Sequence, residues 1–329
     1  MSIHRAVTWQ KIGPVAVAAL SLLFVGSPFA VSGAHAAAGT TVTNASELKV
    51  ALQSAVPGAV ITLQDGRYVG KFEAGNAGLS GAPITLVGSR DAILTTGSTS
   101  SGYGLHVTGS YWNLIGFTVS TAKKGIVLDE SVGSVIDGVD VGHTGDEAIH
   151  IRTNSTDVVV KNSLIHDTGE ITPAYGEGVY VGSANSNWAS IMGSSTTPDR
   201  SDRVTITRNR FENISAEGID IKEGTRGGRI SFNSFSRSGF SGANSADSWV
   251  DVKGNGYAVA DNWGDDALLD AFQVHSVVPG WGGSNRFARN HVAGVVPGFE
   301  VNIASKTSGN VVYCETSSAI RGLTNVLCS

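Results

Sequence analysis

The sequence predicts an all-β chain that folds as a right-handed parallel β-helix, and three observations support this prediction. Glycine is abundant, with 42 of 329 residues, whereas charged residues make up only 16% of the chain. This composition favours short strands joined by tight turns. Short segments of alternating character recur at intervals of roughly 22–31 residues, apart from one longer interval. A turn residue, most often asparagine, recurs in the same units. A solenoid in which each coil stacks on the preceding one accounts for all three.

The recurring segments share a small or acidic position followed by alternating apolar and variable residues. They are KKGIVLD (123–129), DEAIHIR (146–152), GEGVYVG (176–182), AEGIDIK (216–222), DSWVDVK (247–253), LDAFQVH (269–275) and PGFEVN (297–302). Successive side chains of a strand point to opposite faces. The apolar positions are therefore predicted to face the core, including Ile219 and Ile221 in a central segment and Phe299 and Val301 in the last. Leucine-rich repeats have a similar period, but their leucines are missing here.

A second column follows a short β-rich run in each unit. Its members are Asp137, Asn162, Asn209, Asn233, Asn262 and Asn290. An asparagine at a turn can donate and accept hydrogen bonds along a stack of coils. We therefore predict a structural ladder of these side chains, without a catalytic role.

One interval in this column is longer than the rest. Asn162 and Asn209 are 47 positions apart, and the excess is ANSNWASIMGSSTTPDR at 184–200. We predict that these residues leave the coil as a loop after the strand at 176–182. Long loops on a rigid scaffold often carry function, so Trp188 is a candidate substrate-binding residue that would line a sugar-binding wall with Met192.

The N-terminal residues 1–36 have the pattern of a secretory signal peptide. Arg5 and Lys11 precede an apolar run at 15–26, and Ala34-His35-Ala36 provides a small-x-small cleavage signal. We therefore expect a secreted, extracellular protein. Its working part is predicted to be a single β-helix domain at residues 37–329.

Both ends of this domain are predicted to be capped. At its start, residues 46–55 form a short amphipathic helix with Ser46 as the candidate N-cap. At its end, residues 311–329 contain the two cysteines of the chain, Cys314 and Cys328. Two cysteines in an exported protein are expected to form a disulfide, which would fix the tail.

The charge of the chain excludes some partners. The net charge is only −5, and the sequence has no basic run and no basic patch rich in aromatic residues. We therefore expect no nucleic-acid partner. Beyond the signal peptide no segment is apolar enough to cross a bilayer, so we expect no membrane association after cleavage. We also expect a monomer, and the sequence has no cysteine–histidine cluster with the spacing of a zinc site.

The residues that point outward from the recurring segments form columns. The first column is Val127, His150, Tyr180, Asp220, Asp251, Gln273 and Glu300; the second is Asp129, Arg152, Gly182, Lys222, Lys253, His275 and Asn302; the third is Lys124, Glu147, Glu177, Glu217, Ser248 and Asp270. Polar side chains of several chemical types gather on the central coils. Of these, His150, Tyr180 and His275 are candidate substrate-binding residues.

Four acids of these columns are candidate metal ligands. Neighbouring coils lie about 4.8 Å apart, so Glu177, Glu217, Asp220 and Asp251 are predicted to form one cluster. Like charges at this distance repel each other unless a cation neutralises them. Because Ca²⁺ takes several carboxylate oxygens at flexible geometry, we predict a calcium site.

Two lysines adjoin this cluster. Lys222 and Lys253 are predicted to be neighbours, and each is expected to lower the pKa of the other, which would favour a lysine base. A base beside a cation suits β-elimination in a uronic-acid polymer. The base removes the C5 proton next to the carboxylate, and the glycosidic oxygen leaves C4. The predicted partner is therefore an acidic polysaccharide.

Two stretches of the sequence resemble a known family. The stretch PGAVITLQDGRYVGKFEAGNAGLSGAPITLVG (57–88) is similar to the opening coils of secreted β-helical, pectin-lyase-like polysaccharide lyases, especially the family of chondroitinase B and the alginate lyases. That family carries a Glu-x-Ile-x-x-Lys pattern, which the residues from Glu217 to Lys222 match. The resemblance implies that Glu217 binds Ca²⁺ and that Lys222 is the base. The pattern also resembles calcium-dependent β-helical pectate lyases.

Two positions depart from the family pattern. The catalytic acid of the family is an arginine on the next coil, where this chain has Lys253, and Arg152 lies two coils before Lys222. We therefore treat Lys253 and Arg152 as candidate catalytic residues. The second metal-binding glutamate of the family is replaced by Ser215, so other acids of the cluster would have to complete the ligand set.

The residues leave other functions open. A β-helical glycoside hydrolase needs two carboxylates across the scissile bond, and Asp146 with Glu147 or Asp265 with Asp266 are available. A C5-epimerase would also remove the C5 proton. A non-catalytic carbohydrate-binding β-helix would need neither Lys222 nor a metal.

Overall fold

The computed structural model describes residues 39–304 and 309–329. In these residues three parallel sheets surround one apolar core, and successive strands enter the three sheets in turn. The predicted all-β, parallel β-helix is therefore confirmed. The predicted signal peptide at 1–36 lies outside the described residues.

Each strand from β2 onward pairs in parallel with the strand three places later in the chain. The first sheet contains β1 (Thr40–Val42), β2 (Val60–Leu63), β5 (Ile84–Val87), β8 (Trp112–Ile115), β11 (Val135–Asp137), β14 (Val159–Lys161), β17 (Thr205–Thr207), β20 (Arg229–Ser231), β23 (Ala258–Ala260), β26 (Arg286–Ala288) and β29 (Val311–Val312). The second sheet contains β3 (Gly66–Val69), β6 (Ala92–Thr95), β9 (Thr118–Ala122), β12 (Asp140–Thr144), β15 (Leu164–His166), β18 (Arg210–Ile214), β21 (Ser234–Ser238), β24 (Trp263–Asp265) and β27 (His291–Val292). The third sheet contains β4 (Phe72–Ala74), β7 (Tyr103–Val107), β10 (Lys124–Asp129), β13 (Ile149–Arg152), β16 (Val179–Val181), β19 (Ile219–Ile221), β22 (Ser248–Val252), β25 (Asp270–Val274) and β28 (Val301–Ile303).

Helices are few and short. They are α1 (Ala45–Ser54), α2 (Trp188–Ile191) and the 3₁₀ turns Pro173–Tyr175, Asn185–Asn187 and Ala243–Ser245. Among the described residues, no helix has the length and hydropathy needed to cross a bilayer.

The N-cap of α1 is Asn44 and not the predicted Ser46. The Asn44 backbone is extended, and its side-chain oxygen accepts hydrogen bonds from the Ser46 and Glu47 N–H groups. N–H groups of the first helical turn have no partner within the helix, and an N-cap side chain accepts their hydrogen bonds. Leu48 and Leu52 are fully buried and join the core of the first coils.

The core of the central coils is partly aromatic. The Phe211 and Phe235 rings stack with centroids 4.9 Å apart, and Phe235 stacks on Trp249 at 5.9 Å. On the third sheet, Ile219 pairs with Val250 and Ile221 with Val252, all facing the core. The predicted inward positions of the central segments are therefore confirmed.

The asparagine ladder is present from Asn209 onward. The Asn209, Asn233 and Asn262 side chains each donate to the next asparagine oxygen, at 3.1, 3.0 and 3.0 Å, and Asn290 ends the series.

The prediction was wrong for the two earlier members of the column. Ser163 takes the ladder position before Asn209, and its N–H donates to Asn209 Oδ1. Asn162 is exposed with a φ of +53° and donates to Asp137 outside the core. The left-handed backbone of Asn162 redirects the chain at this turn. Asn162 therefore lies outside the ladder, and the next residue, Ser163, occupies the ladder position.

The predicted register of the last segment was also wrong. Val301 pairs with Phe272, and Asn302 pairs with Gln273. Glu300 therefore does not continue the column of Asp251, and it is buried instead. Phe299 was predicted to face the core, but its ring is partly exposed and lies under the guanidinium of Arg321. The segment alternates along FEVNI, so a shift of two residues keeps an apolar inner face and the pattern alone cannot fix the register.

Two further predictions are confirmed. Cys314 and Cys328 form a disulfide. Residues 184–200 leave the coil after β16 and include the 3₁₀ turn Asn185–Asn187 and α2 before the chain re-enters the first sheet at β17.

Candidate active site

A cleft of about 540 Å³ lies over the third sheet. Outward-facing residues of β13, β16 and β19 line it, together with residues of the 3₁₀ turn Pro173–Tyr175 and of the 184–200 insertion. Parallel pairing places His150 beside Tyr180, Tyr180 beside Asp220, and Asp220 beside Asp251. The predicted first column is therefore correct on these coils.

Three of the four predicted metal ligands form one cluster. Glu177, Glu217 and Asp220 are buried, and one ligand oxygen from each lies within 4.8 Å of the others. Burial, with the negative charges of Glu147 and Asp220, raises the pKa of Glu177 to about 8. Burial and the charge of Asp220 also raise the pKa of Glu217 well above its ordinary value. Without a counter-ion these acids are therefore held protonated.

The two lysines share one carboxylate of this cluster. Lys222 Nζ lies 2.6 Å from Asp220 Oδ2, and Lys253 Nζ lies 2.8 Å from Asp220 Oδ1. Burial disfavours both ammonium charges, but the charge of Asp220 outweighs burial and raises the pKa of each lysine. Lys222 does lower the pKa of Lys253, as predicted, but the neighbouring acids outweigh this effect. The expected net lowering of the lysine pKa is therefore wrong, because a carboxylate lies between the two ammonium groups.

Asp251 belongs to a separate arrangement on the next coil, beyond the residues that line the cleft. Its oxygens lie 2.6 Å from Lys253 Nζ and 2.9 Å from His275 Nδ1. Burial opposes its ionisation, but the two cations hold the pKa of Asp251 well below its usual range. Lys253, Asp251 and His275 are not among the described residues that line the cleft. Lys253 contacts the cluster directly through Asp220, and Asp251 and His275 connect to it through Lys253.

His150 and Tyr180 line the cleft, as predicted for substrate-binding residues. Their rings pack edge to face with centroids 4.5 Å apart. His150 Nε2 lies 3.0 Å from the Gly182 carbonyl, and burial lowers the pKa of His150. Tyr180 also lies against Lys222, whose Nζ is 4.8 Å from the ring centroid. Burial raises the pKa of Tyr180, so its phenol keeps its proton.

Arg152 lines the cleft at its N-terminal side. Its guanidinium forms a two-point ion pair with Asp129, at 2.7 and 3.1 Å, and donates to the Tyr103 hydroxyl. Gly182 separates it from Lys222 in the second column, so the two cations lie about 10 Å apart at the spacing of two coils.

The chain is 37% identical to an alginate lyase of known structure from Paenibacillus sp. str. FPU-7, and the alignment covers 88% of this chain and 99% of that one with a TM-score of 0.78. The chain belongs to the β-helical polysaccharide lyases.

More distant structures share only the fold of this lyase. The pectate lyase Pel9A is 16% identical, with a TM-score of 0.59 over 84% of this chain and 72% of that one. A family 136 lacto-N-biosidase from Eubacterium ramulus is 9% identical, with a TM-score of 0.58 over 88% of this chain and 68% of that one. No protein-family model and no curated protein matches the chain.

The two pairs of acids that a glycoside hydrolase could use lie in different regions of the lyase. Asp146 and Glu147 line the cleft, whereas Asp265 and Asp266 lie at the end of β24 in the second sheet. Only the first pair is therefore within reach of a substrate in the cleft.

Trp188 of the lyase does not line the cleft. Its side chain is buried, and its indole N–H donates to the Ser183 carbonyl at 2.9 Å. The insertion presents Ser186, Asn187 and Ile191 to the cleft instead. Trp188 therefore anchors this segment.

Two contacts that shape the site were not predicted from the sequence. Glu147 accepts from Lys124 and lies 2.8 Å from His150 Nδ1, which joins the third and first columns in one network. Glu223 is buried and accepts a hydrogen bond from the Asn185 N–H at 2.6 Å, which fixes the start of the insertion. The position of Glu147 in the third column pointed to the first contact. No sequence pattern pointed to the second, because its partner is a backbone group of the insertion.

Proposed function

We propose that this lyase cleaves a uronic-acid polysaccharide of the alginate type by β-elimination, with Lys222 as the base. One observation carries the proposal: Lys222 lies in the cleft, with its Nζ 2.6 Å from a buried cluster of three carboxylates. The 37% identity to an alginate lyase supports alginate as the substrate. Lys124, Arg152 and Lys222 line the same cleft together with five acids. A bound divalent cation would offset the excess of negative charge, which otherwise opposes the approach of an acidic chain.

The donor set of the cluster suits calcium. Glu177, Glu217 and Asp220 offer hard oxygen ligands within 4.8 Å of one another. Ser215, at the position of the second glutamate of related enzymes, donates to the Pro173 carbonyl and is no substitute ligand. When bound, the cation would neutralise the cluster and polarise the uronate carboxylate.

The residues of the chain assign the two proton transfers. Lys222 acts as the base in its neutral form, so it first gives its own proton to water once its ion pair with Asp220 is relieved. It then takes the C5 proton, and the electrons of the C5–H bond form the C4–C5 double bond as the C4–oxygen bond breaks. Tyr180 donates a proton to the leaving oxygen, because it lines the cleft beside Lys222 and its phenol stays protonated. Lys253 bridges Asp220 and Asp251 and is not among the described residues that line the cleft, so it positions the Asp220 carboxylate and does not serve as the acid.

The test is the ultraviolet absorbance of the unsaturated uronate product. Purified protein is incubated with alginate, pectate, glucuronan and chondroitin sulfate. Lys222→Ala is compared with Lys161→Ala, a surface lysine that pairs with Asp137. We expect absorbance to rise on alginate for wild type and Lys161→Ala only. New reducing ends without absorbance would contradict β-elimination and favour a hydrolase.

Calcium is tested separately on protein dialysed against a chelator. We expect activity to be lost and then restored by Ca²⁺. Full activity after dialysis would contradict the calcium site and leave the role of Lys222 intact.

We also propose that the enzyme is secreted, on the signal-peptide pattern of residues 1–36. Protein recovered from the medium of an expressing bacterial culture should begin after Ala36 when its N-terminus is sequenced. Retention in the cells with Met1 intact would contradict export.

A further inference from the structure

Two histidines and two acids lie together at the edge of the second sheet. His143 of β12 and His166 of β15 pack edge to face, with ring centroids 5.4 Å apart. Asp167 follows His166 in the chain, and Glu170 lies with its Oε1 2.9 Å from His143 Nδ1. One ligand atom from each of His143, His166 and Asp167 lies within 4.8 Å of the others. None of these residues lines the cleft in the described structure.

The backbone brings these side chains together. His143 and Asp167 occupy the same corner of successive coils, and both have left-handed φ values, +51° and +47°. His166 pairs with Gly142 on the preceding coil. A Cβ on Gly142 would lie 2.5 Å from the His166 ring, so only glycine leaves room for the imidazole there.

One nitrogen of His166 is already oriented by a carboxylate. Its Nε2 lies 2.8 Å from Asp140 Oδ1, and Arg90 holds the other oxygen of Asp140 at 2.8 Å. Its Nδ1 lies 2.7 Å from Asp167 Oδ2. In metal sites a ligating histidine donates its second N–H to a carboxylate in this way, which leaves the first nitrogen for the metal.

We propose that His143, His166 and Asp167 bind a divalent transition-metal ion of the zinc type, with Glu170 as a fourth donor. Two imidazoles with carboxylate oxygen suit Zn²⁺, whereas Ca²⁺ takes oxygen ligands only. This site is distinct from the carboxylate cluster in the cleft and does not depend on the proposed function.

The metal would fix a segment that shapes the cleft. Asp167 and Glu170 begin the connection that carries Tyr175 and Glu177 into the cleft. The Glu170 N–H donates to the Thr144 carbonyl, one residue after His143. A metal held by His143, Asp167 and Glu170 would therefore tie the start of this connection to β12.

The test is a calorimetric titration of untagged, chelator-treated protein with ZnCl₂, in excess Ca²⁺ to occupy the carboxylate cluster. We expect one Zn²⁺ per chain. His143→Asn should weaken binding at least about tenfold, and Asp140→Asn about 10–100-fold. Asparagine tolerates a left-handed backbone, so His143→Asn is expected to keep the fold.

His291→Asn is the matched control, because His291 is an exposed histidine of the same sheet; it should bind Zn²⁺ like wild type. With Co²⁺ in place of Zn²⁺, absorption bands of nitrogen-ligated cobalt should appear and should be lost in His143→Asn. Absence of binding to wild type would show that His166 serves only as an ion-pair partner of Asp140 and Asp167. Unchanged binding in His143→Asn would place the metal elsewhere. Either result overturns the proposal.

Discussion

Lys222 and Tyr180 lie side by side on adjacent strands of the third sheet, with the lysine Nζ 4.8 Å from the centre of the phenol ring. If Tyr180 protonates the leaving oxygen, Tyr180→Phe should lower kcat about 100-fold or more and change KM little. The ring contact with His150 is retained in this variant, so the fold should persist. Initial rates of unsaturated product formation measure the effect.

Tyr175→Phe is the control for this prediction. Tyr175 also lines the cleft, but it is exposed and belongs to the 3₁₀ turn at its rim. Removing its hydroxyl should leave kcat within a few-fold of wild type. A Tyr180→Phe enzyme with full kcat would show that another group is the acid.

Lys253 is predicted to matter for stability through the two acids that it bridges. Asp220 and Asp251 are paired neighbours, and Lys253 Nζ contacts both at 2.8 and 2.6 Å. Lys253→Met would leave Asp220 paired with Lys222 alone and Asp251 paired with His275 alone. Because each buried carboxylate keeps one cation, we expect the free energy of unfolding in urea to fall by about 1.5–3 kcal/mol, the cost of losing a hydrogen bond to a charged group.

Lys161→Met provides the comparison, because it breaks a partly exposed ion pair with Asp137. Such pairs contribute about 0–1 kcal/mol. Equal losses in the two lysine variants would contradict a special role of Lys253 in the buried network.

The central coils could be predicted from the sequence because alternation and spacing agree there. Ile219 and Ile221 can face the core in one register only, and this places Asp220 beside Asp251 and in the line of Tyr180. The last coil could not be predicted in this way, because FEVNI keeps an apolar face after a shift of two residues.

The electrostatics of the site depended on contacts that residue columns do not specify. Lys222 and Lys253 are neighbours as predicted, but the sign of their pKa shifts depends on the Asp220 carboxylate between them. Likewise, the position of Trp188 in the insertion was predicted correctly. Its burial and its hydrogen bond to the Ser183 carbonyl could not be predicted, because the repeat pattern does not specify contacts within the insertion.

The asparagine ladder is expected to contribute to stability at each step. Asn233 accepts from the N–H and side chain of Asn209, and it donates to the Ile206 carbonyl and to Asn262. Asn233→Ala would leave buried polar groups without partners, at a cost of about 1–3 kcal/mol each. We expect a clear loss in the free energy of unfolding.

Asn162→Gly serves as the control, because glycine keeps the left-handed backbone of this position and the exposed Asn162 side chain bonds only with Asp137 among the described contacts. Its effect should stay within about 0.5 kcal/mol. A loss as large as that of Asn233→Ala would mean that the outer pair is part of the ladder after all.

Glu300 is predicted to make stability depend on pH. It is fully buried, and burial together with the charge of Glu315 outweighs the interaction with the Ser317 hydroxyl and raises the pKa of Glu300 to about 7. Folding therefore favours its protonated form. The loss of folding stability that ionisation of Glu300 causes is absent below about pH 4.3, the pKa of a glutamate in the unfolded chain. It grows as the pH rises to about 7 and is constant above that. The free energy of unfolding of Glu300→Gln in urea should equal that of wild type at pH 4 and exceed it at pH 8.

Glu73→Gln controls for net charge, because Glu73 is exposed and lies at the opposite end of the third sheet. An equal gain at both pH values would contradict titration of Glu300, because only an ionising group gives a gain that grows with pH.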